Sequence, residues 1–518
     1  MALGPVLGFG LILANGTVCY LGWGMLVRFV RAMLIIALLL VAPRVYATSS
    51  ELIVRFKMPV DSHTRLISLV KTSTLLTEIV GTEIINAEEG IARITFRNER
   101  DAEIARQSFS VNPFVVKTTP NTFYSLAVTY DLKQPKSGKF ISDVETRFPQ
   151  WDLENFTLPD VLLPPDYEIG VDPLADKDWA LYSINLGSAR LGRIKPVIVA
   201  VIDSGVDYNH EDLSGAMWRE NANHLEVGFD FSHIHNKPFD IVHFDPVGCQ
   251  KDYDCRLGLD TSKFLVNPGH GTHCAGHISS VFNNSLGTFG IGIGSRIMAL
   301  KAFRDAGEEN AGMIDEAAAI KAIDYAVKNG AQIINLSWGV RRLPQEAEKS
   351  ELKQALIRAK KAGVLVVAAA GNFGLDLEKS HQLVYPASYQ LDNIISVAAS
   401  DKDDSLTSFS CYGKNLVHIA APGMRVLSTT VGNNYSDVIG RYRLDDGRVY
   451  EVDWQGTSMA APLVAGAAAL VWSQFPQATY QEVRAKLLKS ARYRKELDGK
   501  ILTSGVLDVA AALKDELR

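Results

Sequence analysis

Hydrophobic and polar positions give the chain several distinct textures. Between residues 51 and 125, short apolar runs alternate with polar stretches of helical composition. Residues 52–56, 91–96 and 114–117 read as strands, and 65–79 and 101–108 as helices, a β-α-β-α-β order. A unit that small buries too little surface to be more than marginally stable alone, so it is expected to dock on something larger. Residues 131–172 carry Pro, Asp, Lys and isolated aromatics without clear period, the texture of a linker or processing region.

From about residue 175 the pattern changes. The run 196–202 is continuous, apolar and rich in β-branched residues, as expected of a strand buried on both faces. Similar runs recur at 297–300, 333–336, 364–369 and 394–398. Helical stretches separate several of them, at 313–328, closed by Asn329-Gly330, and at 346–362, closed by Gly363. Strands alternating with helices of that length predict an α/β fold, a mostly parallel sheet flanked by helices. Residues 441–452 read as a hairpin turning at Asp446-Gly447. The capping box Thr479-Tyr-Gln-Glu482 opens a helix running to about Ser490.

The candidate chemistry lies where these apolar runs meet short polar turns. Gln455-Gly-Thr-Ser458 leads into residues 460–472, apolar on every side, which predicts a buried helix with Pro462 in its first turn. A serine at the mouth of such a helix sits among free N–H groups at the positive dipole end, where an oxyanion can be stabilised. Ser458 or Thr457 also suits a simple N-cap. Asp203 follows the 196–202 run directly and so belongs at the carboxyl edge of the sheet, where functional groups of such folds collect; a helix cap or turn former is the plain alternative. His270, in Gly269-His-Gly-Thr-His-Cys-Ala-Gly276, is a natural general base for a serine hydroxyl, and a buried carboxylate would fix its tautomer. His273 and His277, four apart on a helix, raise a metal site as a competing reading, without the intervening glutamate of a zinc protease helix. Asn372 follows another buried run; its amide N–H₂ is the donor an oxyanion hole needs, and it also suits an ordinary turn.

Together and in this order, Val201-Ile-Asp203-Ser-Gly205, His270-Gly-Thr-His273-Cys-Ala-Gly276, Ala369-Ala-Gly-Asn372 and Gly456-Thr-Ser458-Met-Ala460 resemble the motifs of the subtilisin-like serine proteases, the subtilase family, over roughly residues 173–512. The resemblance implies that Asp203 orients His270, that His270 is the base and Ser458 the nucleophile, and that Asn372 is the oxyanion donor. An α/β-hydrolase is disfavoured, because Asn335-Leu-Ser337-Trp-Gly339 lacks the first glycine of that elbow. The segment Ser337, Trp338, Gly339 instead resembles the strand along which a subtilase lays its substrate. Asp212 with Phe282, Asn284, Leu286 and Thr288 resembles the family's strong calcium site. Side-chain oxygens would come from Asp212 and Asn284 and carbonyls from the other three; an Asn-rich turn or a glycosylation sequon at Asn283 is the alternative. Residues 48–125 resemble the family's inhibitory propeptide, a small α+β ferredoxin-like module. Residues 126–172 would then be a processing region and 173–518 the catalytic domain. Cys274 resembles a subgroup with a thiol beneath the active site, and a plain buried small residue is the other reading.

Totals change this picture little. At 518 residues, 47% hydrophobic and 21% charged, the chain has the balance of a packed enzyme of about two domains plus leader. A net charge of −5 leaves no basic footprint, so nucleic acid is not an expected partner. Arg28 and Arg31 precede the short apolar run 33–42, and Val45-Tyr-Ala47 follows, so residues 1–47 are expected to be a signal or leader, with Met25 an alternative start. Export to a secreted or periplasmic location without a stable membrane anchor follows. The spacing of Cys249 and Cys255 permits a small disulfide-closed loop. The expectation is thus an exported, monomeric serine endopeptidase made as a self-processing zymogen. Its partners are protein or peptide substrates and its own propeptide, with structural calcium and no organic cofactor. The rival is a catalytically silent subtilase fold used for binding.

Overall fold

The computed structural model describes residues 10–12, 18–20, 50–70, 79–126, 139–141, 172–189, 191–192, 194–220, 226–241, 243–244, 265–305, 310, 312–443 and 449–514. They belong to two compact units, residues 1–48 and 49–518. In the first, two short strands, Gly10–Ile12 and Val18–Tyr20, pair antiparallel. The leader features expected at 28–47, and Cys249 and Cys255, lie outside the described residues.

The second unit opens with a four-stranded antiparallel sheet and two helices. In chain order these are β1 (Glu51–Phe56), α1 (His63–Val70), β2 (Ile79–Asn86), β3 (Ile91–Phe96), α2 (Glu99–Ser110) and β4 (Val115–Pro120), with sheet order β2-β3-β1-β4. The helix expected over 65–79 falls at 63–70, and residue 79 opens a strand instead. Its apolar positions Ile79, Ile84 and Ile85 answer to pairing with β3, which a local reading does not see. Leu52, Val54 and Phe56 of β1 pack on Leu66, Ala105 and Phe109 of the helices as a separate small core.

Beyond it comes a nine-stranded sheet. Its strands are β6 (Ile198–Asp203), β7 (Gly228–Asp230), β8 (Arg296–Lys301), β10 (Ile333–Leu336), β12 (Leu365–Ala369), β14 (Ile394–Ser400), β15 (Ile419–Pro422), β16 (Arg492–Tyr493) and β17 (Gly505–Val506). The order is β7-β8-β6-β10-β12-β14-β15-β17-β16, parallel except for the last pair. Both faces are covered, which is why the strands read as unbroken apolar runs. Val199 and Val201 of β6 face one core, with Ala275 and Ala465; Ala200 and Ile202 face the other, with Ala319 and Leu356. The helices are α3 (His270–Ser279), α4 (Glu316–Lys328), α5 (Glu351–Lys361), α6 (Thr457–Gln474) and α7 (Tyr480–Lys489). The capping box at Thr479 is formed.

Two helix starts differ from expectation. Residues Met313–Asp315 form a strand, β9, and α4 begins only after Asp315, whose side chain caps Ala318 N–H. The stretch 346–362 divides at Ser350: its side chain caps α5, and the buried Glu316 carboxylate accepts from Glu351 and Leu352 N–H and from Ser350 Oγ. Four antiparallel strands in the order β9-β5-β11-β13 join the two parts of this unit. They are β5 (Phe123–Leu126), β9, β11 (Trp338–Arg342) and β13 (Leu383–Tyr385). The hairpin expected at 441–452 is present as Val438–Arg443 and Val449–Asp453, and Lys139–Ile141 adds a third strand to it. Among the described residues no helix is long and apolar enough to cross a membrane.

Candidate active site

Asp203 ends β6, His270 opens α3 and Ser458 lies in the first turn of α6; all three are buried. His270 Nδ1 donates to Asp203 Oδ1 at 2.8 Å, and the same oxygen accepts from Ser204 N–H at 2.7 Å. That bond fixes the tautomer and leaves Nε2 as the basic atom; among the described residues Nε2 has no hydrogen-bond partner. Burial by itself would depress the imidazole, but the Asp203 carboxylate outweighs it and lifts His270 well above its ordinary value.

The approach of α3 to β6 depends on glycine. A Cβ on Gly271 would stand 2.0 Å from the Gly205 carbonyl oxygen. The start of α3 is held from outside the helix. Asn267 Oδ1 accepts from Gly269 and His270 N–H, and Asp240, itself buried, accepts from Asn267 Nδ2 and from the N–H and Oγ1 of Thr272.

Around Ser458 the decisive residue is Pro462. It lies inside α6 rather than in its first turn as the sequence reading had it. A proline has no N–H to give to the carbonyl four residues back, and here that carbonyl belongs to Ser458. The orphaned oxygen is satisfied from other elements: Ser337 Oγ donates to it at 3.0 Å and Cys274 Sγ lies 3.5 Å away. Ser337 in turn accepts from Asn335 Nδ2 at 2.9 Å. Its side chain therefore supports the backbone of Ser458 and is turned away from the strand expected to bind substrate. Cys274 Sγ also lies 3.8 Å from His270 Nδ1; burial raises its pKa, so it is a neutral thiol.

Asn372 reaches the same place from the end of β12, through Gly371 at φ +102°. Its Oδ1 accepts from both the N–H and the Oγ1 of Thr457, each at 2.9 Å, which holds the amide with its N–H₂ directed away from Thr457. From the sequence alone Thr457 suits a helix cap. Its role as the tether of Asn372 comes from an 85-residue separation that no local pattern encodes.

The segment expected to bind substrate is already paired. Trp338 stands opposite Leu126 and Gly339 opposite Ser125, while β9 flanks β5 on its other side at Ser125, Tyr124 and Phe123. Tyr124 is fully buried: its ring meets Trp338 edge-on at 5.2 Å, and its hydroxyl donates to Glu316 Oε2 at 3.3 Å. Trp338 Nε1 is bound to the Ile202 carbonyl, so this ring is part of the wall.

Of the residues expected around calcium, Asp212 Oδ1 accepts from Val281 N–H and Asn284 Nδ2, and its buried Oδ2 makes no hydrogen bond of ordinary geometry among the described residues, with the Tyr435 hydroxyl beside the carboxyl. Burial pushes this carboxyl up to about 8. Phe282, Leu286 and Thr288 lie on the same loop, which is tightened by left-handed Asn283 and Ser285. Asp172 was not among the expected residues, yet its carboxyl group accepts from Asn283 and Ser285 N–H, adding a second buried carboxyl to the loop. Two buried carboxylates, one with an oxygen left over, suit a hard cation. The competing site at His273 and His277 does not assemble: His273 stacks on Trp454 at 4.1 Å, burial pushes His277 down to about 3, and among the described residues no third ligand joins them.

A family model described as "Subtilase family" matches residues 195–505. A thermostable alkaline protease of Halalkalibacterium halodurans is 37% identical over 227 residues, 44% of this chain and 53% of that protein. Thermitase of Thermoactinomyces vulgaris is 33% identical over 293 residues, 57% of this chain and 80% of that protein. The match thus spans about half the length of the Halalkalibacterium protease. Among solved structures, fervidolysin of Fervidobacterium pennivorans, described as a keratinolytic enzyme related to subtilisin, superposes with a TM-score of 0.58. That superposition covers 90% of this chain and 61% of that one at 21% identity, a likeness of fold.

Proposed function

Because this chain belongs to the subtilase family, we propose that it is a serine endopeptidase made as a zymogen, in which Asp203, His270, Ser458 and Asn372 carry the reaction. The observation that carries the reading is the buried Nδ1–Oδ1 bond of 2.8 Å between His270 and Asp203. Ser458 Oγ attacks the scissile carbonyl while His270 Nε2 takes its proton, and Asp203 stabilises the imidazolium that forms. The negative charge developing on the carbonyl oxygen is met by Asn372 Nδ2 and the amino end of α6. Collapse of this intermediate breaks the C–N bond, His270 protonates the leaving amine, and an acyl-enzyme on Ser458 remains. A water molecule, deprotonated by the same nitrogen, then releases the acid and restores Ser458.

Residues 48–125 are proposed as the inhibitory segment. Strand β5 carries the chain along Trp338–Gly339 in the place where an extended substrate would add a strand, so the first cut is expected soon after Leu126, within the 126–172 processing region, leaving 173–518 as the catalytic domain. Calcium is proposed at Asp212, Asn284 and the carbonyls of Phe282, Leu286 and Thr288, with Asp172 as a further carboxylate. When bound it would neutralise these groups and pin the loop. Export through residues 1–47, and proteins or peptides as substrates, complete the proposal.

An organophosphonate serine label tests the central claim. Labelling of Ser458 in the processed protein, lost in Ser458→Ala, is expected. Absence of labelling after removal of residues 48–125 would favour the silent binding protein.

A further inference from the structure

Away from Ser458, the edge strand β7 leads into a short turn that gathers two imidazoles and a buried carboxylate. Asp230 ends β7, and its backbone exchanges two hydrogen bonds with His235, closing the chain into a tight loop. Oδ1 of Asp230 takes up the loop's own donors, Ser232 N–H, Ser232 Oγ and His233 N–H. Oδ2 is left facing the rings: His233 Nδ1 lies 3.2 Å from it and His235 Nε2 3.7 Å. The two rings stack at 5.9 Å and 15°. One ligand atom from each of the three residues falls within 4.8 Å of the others. In a tetrahedral zinc site, with bonds of about 2.0–2.1 Å, neighbouring ligand atoms stand roughly 3.4 Å apart, so little movement is needed.

Two further features point the same way. Ile234, between the histidines, adopts φ +58° although it is β-branched and 67% exposed. That backbone is unfavourable for such a residue and no burial of its side chain compensates; what it achieves is to bring both neighbours to one side. The outward nitrogen of His233, Nε2, is 3.6 Å from Asp305 Oδ2, and Asp305 is held by the buried Lys301 Nζ at 2.8 Å. A metal-binding imidazole characteristically meets a carboxylate through its other nitrogen, which sets its orientation.

We propose that Asp230, His233 and His235 bind a late first-row divalent metal ion, zinc being the expected one, with Asp305 as the positioning carboxylate of His233. The donor set excludes calcium: that ion takes six to eight oxygens, and here two of the three ligands are imidazole nitrogens. The loop that carries the site ends at Asp240, which holds Asn267 and Thr272 at the entrance of α3. A bound ion would therefore stiffen the chain next to the helix that presents His270.

Cobalt(II) is the probe, titrated into the full chain carrying Ser458→Ala to prevent self-digestion. Visible d–d absorption that saturates at one equivalent, is displaced by zinc and is unaffected by millimolar calcium is expected. It should be lost in His233→Ala and in His235→Ala, retained in Cys274→Ala, and weakened about ten- to a hundredfold in binding by Asp305→Asn. Circular dichroism on the same samples is expected to match the parent spectrum and so to separate loss of binding from loss of fold. No saturable binding, or a signal that survives both histidine substitutions, would overturn the proposal. So would a signal lost with Cys274, which would place the ion at Asp203, His270 and Cys274 instead.

Discussion

Two interfaces around the main sheet are built from different materials. Helix α6 meets the sheet and α3 through small and apolar residues, Ala460, Ala461, Ala465 and Ala468 among them, and the polar atoms there are matched singly: Ser337 to the Ser458 carbonyl, Thr457 to Asn372. The unit of residues 50–120 meets α4 and α5 through Ile53, Ile85 and Ile91, which share an apolar core with Ala317, Ile320 and Leu356, and through a set of ion pairs. Arg55 bonds Glu351 at 2.6 Å and Lys117 bonds it at 2.8 Å; Arg93 reaches Asp315 at 3.2 Å, and Glu83 pairs with Lys321. Packing of the first kind is lost only when the fold is lost. The ion pairs of the second interface can be exchanged for water once the covalent link is cut, and salt weakens them. The contrast fits the roles proposed here, a site that must not move beside a segment that must leave.

The sharpest way to break this comparison is at Ser458. Ser458→Ala should lower kcat on the order of a millionfold and leave the full-length chain uncut between its two parts, read by electrophoresis of the purified protein. Self-cleavage in that variant would sink the zymogen reading. Asn372→Ala should lower kcat about a hundred- to a thousandfold with little change in KM, because its amide acts on charge that exists only in the transition state.

At the other interface, Arg55→Ala leaves the buried Glu351 with Lys117 as its remaining cation. Inhibition by the cleaved segment should weaken roughly thirtyfold, about 2 kcal/mol, and wild-type inhibition should weaken with added salt. Progress curves of activity after processing measure both; salt-independent inhibition would mean that the charges do not hold the two parts together.

A smaller effect probes Pro462. Ser337→Ala removes a donor from the buried Ser458 carbonyl and should cost about 1–3 kcal/mol of stability. Adding Pro462→Ala restores an N–H four residues ahead and should recover part of that loss; additive losses in thermal unfolding would refute the link. The smallest expected change is in the pH profile. In the proposed mechanism the neutral form of His270 is the active one, and Asp203 raises its pKa, so activity should rise with pH through a limb above the ordinary histidine value near 6.5 and persist at alkaline pH. Residual activity of Asp203→Asn should show that limb at lower pH.

Much of this was legible in the chain, because its signals are local. Unbroken β-branched runs marked the parallel strands, Asn329-Gly330 and Gly363 marked helix ends, and the motifs around Asp203, His270, Asn372 and Ser458 lay at strand and helix termini where the family resemblance put them. Other features need a partner that local sequence does not name. Residues 123–126 and 313–315 are strands because they lie against each other and β11, and 79–86 is a strand because β3 is beside it. Pro462 could have been read: a proline four residues past a helical serine frees that serine's carbonyl. Which donors would come to it could not.

The amino-acid sequence by itself determined the kind of sheet, the order of its elements and the identities of the four groups proposed to act, since these follow from periodicity, turn chemistry and short motifs. Tertiary structure alone decided the distances. It placed Thr457 on Asn372, turned Ser337 toward Ser458, laid residues 123–126 along Trp338 and Gly339 and gathered Asp230, His233 and His235 around one point. Hydrogen bonds and metal sites depend on positions to within an ångström, and only the packing of distant segments sets positions that finely.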